Sequence, residues 1–143
     1  MSTLRLAYNI LSPEAYKGLI DCKNALEKSG LGKELIELVY LRISQINGCA
    51  FCLDMHATSL RAAGVSNKKI DTLAGWQVSH HFTEKERAAL AWTESVANIA
   101  QTVAPDSLFN HVKLHFSDVQ ISDLTLAIGL MSAFNRVAIA LRQ

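Results

Sequence analysis

The chain has 143 residues, half of them apolar and 19% charged, which is enough for one ordinary domain with a real core and leaves no length for a second. The formal charge is +1, with acidic and basic residues mixed throughout, so the electrostatic footprint that grips a nucleic-acid backbone or an anionic membrane is missing and neither is expected as a partner. The stretch Met1 to Ile10 lacks a basic start, a sustained apolar run and a small-residue cleavage site, so a cytoplasmic location is expected.

Two prolines, Pro13 and Pro105, sit where helices begin, and no run alternates with period two between turns, so the chain reads as all-α, a bundle of about six to seven helices. Ser12-Pro13 opens a first helix with Leu19, Cys22 and Leu26 on one face, closed by Gly30 and Gly32. A second runs from about Lys33 to Ile46 and is apolar nearly all round, as a buried central helix is, yet it contains Glu37. Asn47-Gly48 forms a turn with Asn47 as the expected cap, and a third helix follows from about Cys49 to Ala63, stopped by Gly64. Ser66 starts a short fourth carrying Ile70 and Leu73. Thr83 with Glu86 is a capping box for a fifth helix reaching about Asn98, and Pro105 begins a sixth with Leu108, Val112 and His115. Ser117 with Gln120 repeats the box and starts a long last helix with Ile121, Leu124, Ile128, Met131, Ala138 and Leu141 in its apolar stripe. From Leu124 to Leu141 that helix approaches the length of a membrane span, but Asn135 and Arg136 lie inside it, so a buried or subunit-interface helix is expected.

Three cysteines are too few for a disulfide scaffold, and a close pair in a reducing compartment points to catalysis or metal binding. Cys49 and Cys52, three apart in the expected first helical turn, bring their sulfurs toward bonding distance and can cycle between dithiol and disulfide. Unpaired amides and the dipole at a helix start favour the thiolate, which is the nucleophile. His56, four residues after Cys52, continues the same stripe and can exchange a proton with a sulfur. Glu37 lies 11 residues before Gly48 and His56 eight after it, so an antiparallel helical hairpin brings carboxylate and imidazole to similar heights, as acid-base work requires.

Other readings of the same residues stay open. Cys49, Cys52 and His56 could supply three zinc ligands, although a second cysteine pair and a zinc-finger spacing are missing. Leu53 after Cys52 excludes a haem attachment. His80-His81 reads as a solvated loop that could complete a metal site, Cys22 and Met55 read as packing residues, and Trp76 and Trp92 lack the clustered basic neighbours of a nucleic-acid stacking surface.

The pattern Glu37, eleven residues, Cys49-x-x-Cys52, three residues, His56 resembles the core motif of the alkylhydroperoxidase D family within the carboxymuconolactone decarboxylase superfamily. Arg61 to Gly64, the Phe82-Thr83-Glu84 to Ala91-Trp92-Thr93-Glu94 segment and Asn135-Arg136 extend the resemblance to small peroxidase-like members over most of the chain. The resemblance implies one alkylhydroperoxidase D-like domain over residues 1–143, assembly as a homotrimer or homohexamer, and neither metal nor organic cofactor. It implies an antioxidant thiol peroxidase: Cys52 resembles the cysteine that attacks the hydroperoxide, Cys49 the partner that resolves it, and Glu37 with His56 the proton relay. The best-known branch has histidine immediately before the second cysteine, where this chain has Phe51, so the resemblance implies a thiol or dithiol reductant without identifying it. Two alternatives are a thiol-disulfide reductase acting on another substrate and a non-catalytic, metal-binding oligomeric protein.

Overall fold

The long helices lie where capping and periodicity place them. In the computed structural model, which describes residues 3–143, they are α2 (Pro13–Glu27), α3 (Lys33–Asn47), α4 (Ala50–Ala62), α6 (Glu84–Ala97) and α9 (Asp118–Leu141), with shorter α5 (Asn67–Asp71) and α8 (Asp106–Lys113). Both capping boxes form, Thr83 with Glu86 and Ser117 with Gln120, each side chain satisfying the other residue's backbone N–H. Met1 and Ser2 of the N-terminal segment lie outside the described residues.

Among the described residues there are ten helices rather than six to seven. The additional ones are short pieces: α1 (Tyr8–Leu11), α7 (Ile99–Thr102) and the 3-10 helix Leu73–Val78 that follows α5. Four to six residues are too few to show a 3.6-residue period, and such turns are held by what they pack against. The segment before α1 docks on the end of α9: the Arg5 amide donates to the Leu141 carbonyl at 2.7 Å, the Arg5 guanidinium to Ala140 O, and the Tyr8 hydroxyl to Gln143 Oε1.

α3 and α9 pack on each other at the centre, with α6 against both, and their buried faces (Ile36, Val39, Tyr40 and Ile43; Leu124, Ile128 and Met131; Ala88, Ala89 and Trp92) form the main core. A second cluster, Leu38, Leu41, Leu60, Leu73, Trp76 and Leu90, fills the other side of α3, which explains why that helix is apolar nearly all round. α9 is long and apolar enough to cross a membrane by length and composition, but it packs against α2, α3, α4, α6 and α8. Its one strongly polar buried residue, Asn135, has both side-chain polar atoms partnered, accepting from Asn47 Nδ2 and donating to Ser44 Oγ, both at 3.1 Å. Those two bonds tie α9 to the end of α3, where the chain turns into α4.

Candidate active site

That turn sets the position of both cysteines. Gly48 takes the left-handed conformation (φ 69°) that ends α3, and the amides of Gly48 and Cys49 close onto Ser44 O. Cys49 is therefore the N-cap of α4 rather than a residue of its first turn, and its sulfur takes the capping role in place of Asn47, accepting from the Cys52 amide at 3.4 Å. Asn47 instead remains the last residue of α3, committed to Asn135. The extended backbone at Cys49 turns its side chain back over the first turn, and Cys49 and Cys52 form a disulfide with Cα atoms 5.3 Å apart. Both sulfur-bearing residues are buried.

α3 and α4 form the antiparallel hairpin that the Glu37 and His56 spacing anticipates, and the two side chains meet. His56 Nδ1–H donates to Glu37 Oε2 at 2.7 Å inside the protein, with His56 1% and Glu37 8% exposed. A carboxylate only accepts, so it assigns the proton to Nδ1 and turns Nε2 toward other work. Nε2 is buried and has no hydrogen-bond partner among the described residues. The Tyr40 ring lies against the imidazole, centroids 5.3 Å apart, and its hydroxyl is also buried and unpartnered among the described residues. Burial, then the Glu37 carboxylate, pushes the Tyr40 phenol well above its ordinary ionisation range, so it stays neutral.

Cys52 forms part of the wall of a cavity of about 220 Å³. α2 contributes Tyr16, Ile20 and Lys23, one stripe at helical spacing; α4 contributes Phe51 and Met55; α9 contributes Met131, Phe134 and Ala138; Tyr8 closes one side. The lining is mainly apolar; its polar groups are the Tyr8 and Tyr16 hydroxyls and Lys23, which is ion-paired with Glu27 at 2.9 Å. Met55, a packing residue by sequence, is 41% exposed and lines this cavity, and the α2 stripe that reaches it is less apolar than the stripe of Leu19, Cys22 and Leu26. The regular spacing of Tyr16, Ile20 and Lys23 was the available signal; which side of α2 faced a cavity depended on where α4 and α9 packed.

The remaining candidates lie apart from this arrangement. His80 and His81 lie side by side in the loop before α6, their rings tilted with centroids 4.7 Å apart, and Cys22 is a free, half-buried thiol packed against the main core. Trp76 and Trp92 are buried and donate their indole N–H to Glu94 and Thr125. Among the described residues no three histidine, cysteine, aspartate or glutamate side chains gather to hold a metal ion, the Cys49, Cys52 and His56 set included.

The model of the carboxymuconolactone decarboxylase family matches residues 13–95, more than half of the chain and the whole of the segment carrying Glu37, both cysteines and His56. The chain belongs to the carboxymuconolactone decarboxylase family. It is 34% identical over 137 residues to the uncharacterized protein YdfG of Bacillus subtilis, covering 96% of this chain and 93% of that one. The fold superposes on the crystal structure of ATU0492 from Agrobacterium tumefaciens with a TM-score of 0.94 and 42% identity, covering 99% and 97% of the two chains; that protein is described as one of unknown function and a candidate antioxidant defence protein AhpD. A shorter match, 49% identical over 43 residues, is to the alkyl hydroperoxide reductase AhpD of Bradyrhizobium diazoefficiens, and covers 30% of this chain and 24% of that one. Within the carboxymuconolactone decarboxylase family this chain thus falls with AhpD-like members.

Proposed function

We propose that this protein is a thiol peroxidase that reduces organic hydroperoxides through a Cys49/Cys52 dithiol-disulfide cycle. The observation that carries the reading is the position of Cys52: it is bonded to Cys49, stands one helical turn before His56, and forms the wall of an apolar cavity. In the reduced protein the Cys52 thiolate attacks the outer oxygen of a hydroperoxide. The O–O bond breaks, Cys52 becomes a sulfenic acid, and the leaving alkoxide takes a proton to become the alcohol. Cys49 then displaces water from the sulfenic sulfur and the disulfide closes; two electrons from a thiol or dithiol donor restore the pair. His56, aligned by Glu37, moves the protons, and its unpartnered Nε2 is the atom available for it.

The apolar lining favours an alkyl or aryl hydroperoxide over hydrogen peroxide, because burying the organic part is favourable at about 25 cal/mol per Å². Assembly as a trimer or hexamer, in the cytoplasm, belongs to the same reading, and the exposed Val119 and Leu126 on α9 supply apolar surface for it. The test is consumption of cumene hydroperoxide by the purified protein with excess dithiothreitol. Turnover that disappears in Cys52→Ser is the expected result; a rate no higher than that of the Cys52→Ser control rejects the peroxidase.

A further inference from the structure

The two cysteines of the disulfide line different cavities. Cys52 lines the apolar cavity described above, whereas Cys49 lines a second, smaller cavity of about 160 Å³ formed by Gly48 and Ala50 at the start of α4 and by Ile139 and Arg142 at the end of α9. Phe51 and Ala138 line both, so these two residues stand where the cavities adjoin. The Cys52 cavity is lined mainly by apolar side chains, with the Tyr8 and Tyr16 hydroxyls and Lys23, while the Cys49 cavity sets the amide end of a 13-residue helix, which favours an anion, beside the carbonyl end of α9 and Arg142, whose guanidinium donates to Ile139 O.

We infer that the reducing thiol enters on the Cys49 side, through the cavity between the start of α4 and the end of α9, so that oxidant and reductant use opposite faces of one disulfide. The inference rests on the redox reading of the pair but not on the identity of the oxidant. Displacement at sulfur runs in line, with the attacking sulfur opposite the leaving one. A nucleophile in the second cavity meets Cys49, the cysteine that lines it, and expels Cys52. The donor is a small aliphatic thiolate: its sulfur bonds to Cys49 Sγ, the Cys49–Cys52 bond breaks, and the electron pair leaves on Cys52. A second equivalent of the same thiol attacks the donor sulfur of the mixed disulfide, releasing Cys49 and the oxidised donor. Overall two thiols become one disulfide and the protein regains its dithiol, with the Cys52 thiolate regenerated at the wall of the peroxide cavity. Phe51, between the two cysteines in sequence, lines both cavities.

The experiment starts from protein oxidised to the disulfide with diamide, so that no peroxide chemistry enters. A brief pulse of 2-mercaptoethanesulfonate is quenched in acid, free thiols are alkylated, and fragmentation of the peptide holding both cysteines locates the adduct. The expected product carries the monothiol on Cys49 and the alkyl label on Cys52; the reverse distribution overturns the inference. Ala50→Trp, at an exposed position that lines only the second cavity, gives an independent readout. Opening of the disulfide by the monothiol slows by about tenfold or more, while oxidation of the reduced variant by cumene hydroperoxide stays within about twofold of wild type. Equal slowing of both half-reactions, or of neither, overturns the inference. Absence of peroxide turnover in the wild type would reject the peroxidase reading and leave the adduct position as a separate result.

Discussion

Glu37→Gln tests whether the buried carboxylate acts on the chemistry through His56 or only fills space. Glutamine preserves the volume and can still hydrogen-bond Nδ1 across the 2.7 Å contact, so the fold retains its packing while the ring loses its negatively charged partner. A hydrogen bond to a charged group contributes about 1.5–3 kcal/mol and a neutral one about 0.5–1.5 kcal/mol. The difference of about 1–2 kcal/mol corresponds to about 5- to 30-fold in any step where the imidazole must gain or hold a proton. Both groups are nearly shielded from water, so screening removes little of this. The assay is a single-turnover stopped-flow reaction of pre-reduced protein with cumene hydroperoxide, read by thiol loss, with urea unfolding to verify that the variant is folded. A fall in the second-order rate constant within that range is expected. A folded variant that reacts within twofold of wild type would refute the relay and leave Glu37 as a structural partner of His56.

Asn135→Ala removes both bonds that tie α9 to the end of α3 and should destabilise the protein by about 2 kcal/mol, at roughly 1 kcal/mol for each lost hydrogen bond, measured as a lower urea midpoint with an unchanged m-value. Tyr40→Phe deletes a buried hydroxyl that has no partner among the described residues, so at pH 7 the variant should equal or exceed wild type in stability, by up to about 1 kcal/mol. The same substitution has a pH signature. The folded protein keeps the Tyr40 phenol protonated where the unfolded chain ionises it, so above about pH 10 the folded state binds more protons and wild-type stability falls as pH rises, by up to about 1.4 kcal/mol per unit. Tyr40→Phe lacks that contribution, and urea midpoints at pH 9 and pH 11 should show the smaller alkaline loss in the variant.

Local signals carried most of the architecture. Capping boxes at Thr83 and Ser117, Pro13 at a helix start and the positive-φ glycines Gly48 and Gly64 are decided within a few residues, and the helices they bound follow. The Glu37 and His56 contact was legible because a helical hairpin converts residue counts into heights at a fixed rise. The cap of α4 was not: Asn47 is the better capping residue by type, but its side chain is engaged by Asn135, 88 positions away, and Gly48 ends α3 so that the cap falls on Cys49, two residues after Asn47. The single-turn helices and the walls of both cavities depend on side chains from α1, α2, α4 and α9 meeting at one place, which no local pattern encodes.

The central claim is that Cys52 and Cys49 form one redox unit in which Cys52 meets the peroxide. Intact mass and disulfide mapping after addition of one equivalent of cumene hydroperoxide to fully reduced protein test it most directly. The account predicts a loss of two mass units from the chain and a Cys49–Cys52 link, with Cys22 still free, and in Cys49→Ser an oxygen adduct trapped on Cys52. Oxidation that falls on Cys22, or a Cys49→Ser protein whose Cys52 stays unmodified while Cys49 of Cys52→Ser gains oxygen, would contradict it.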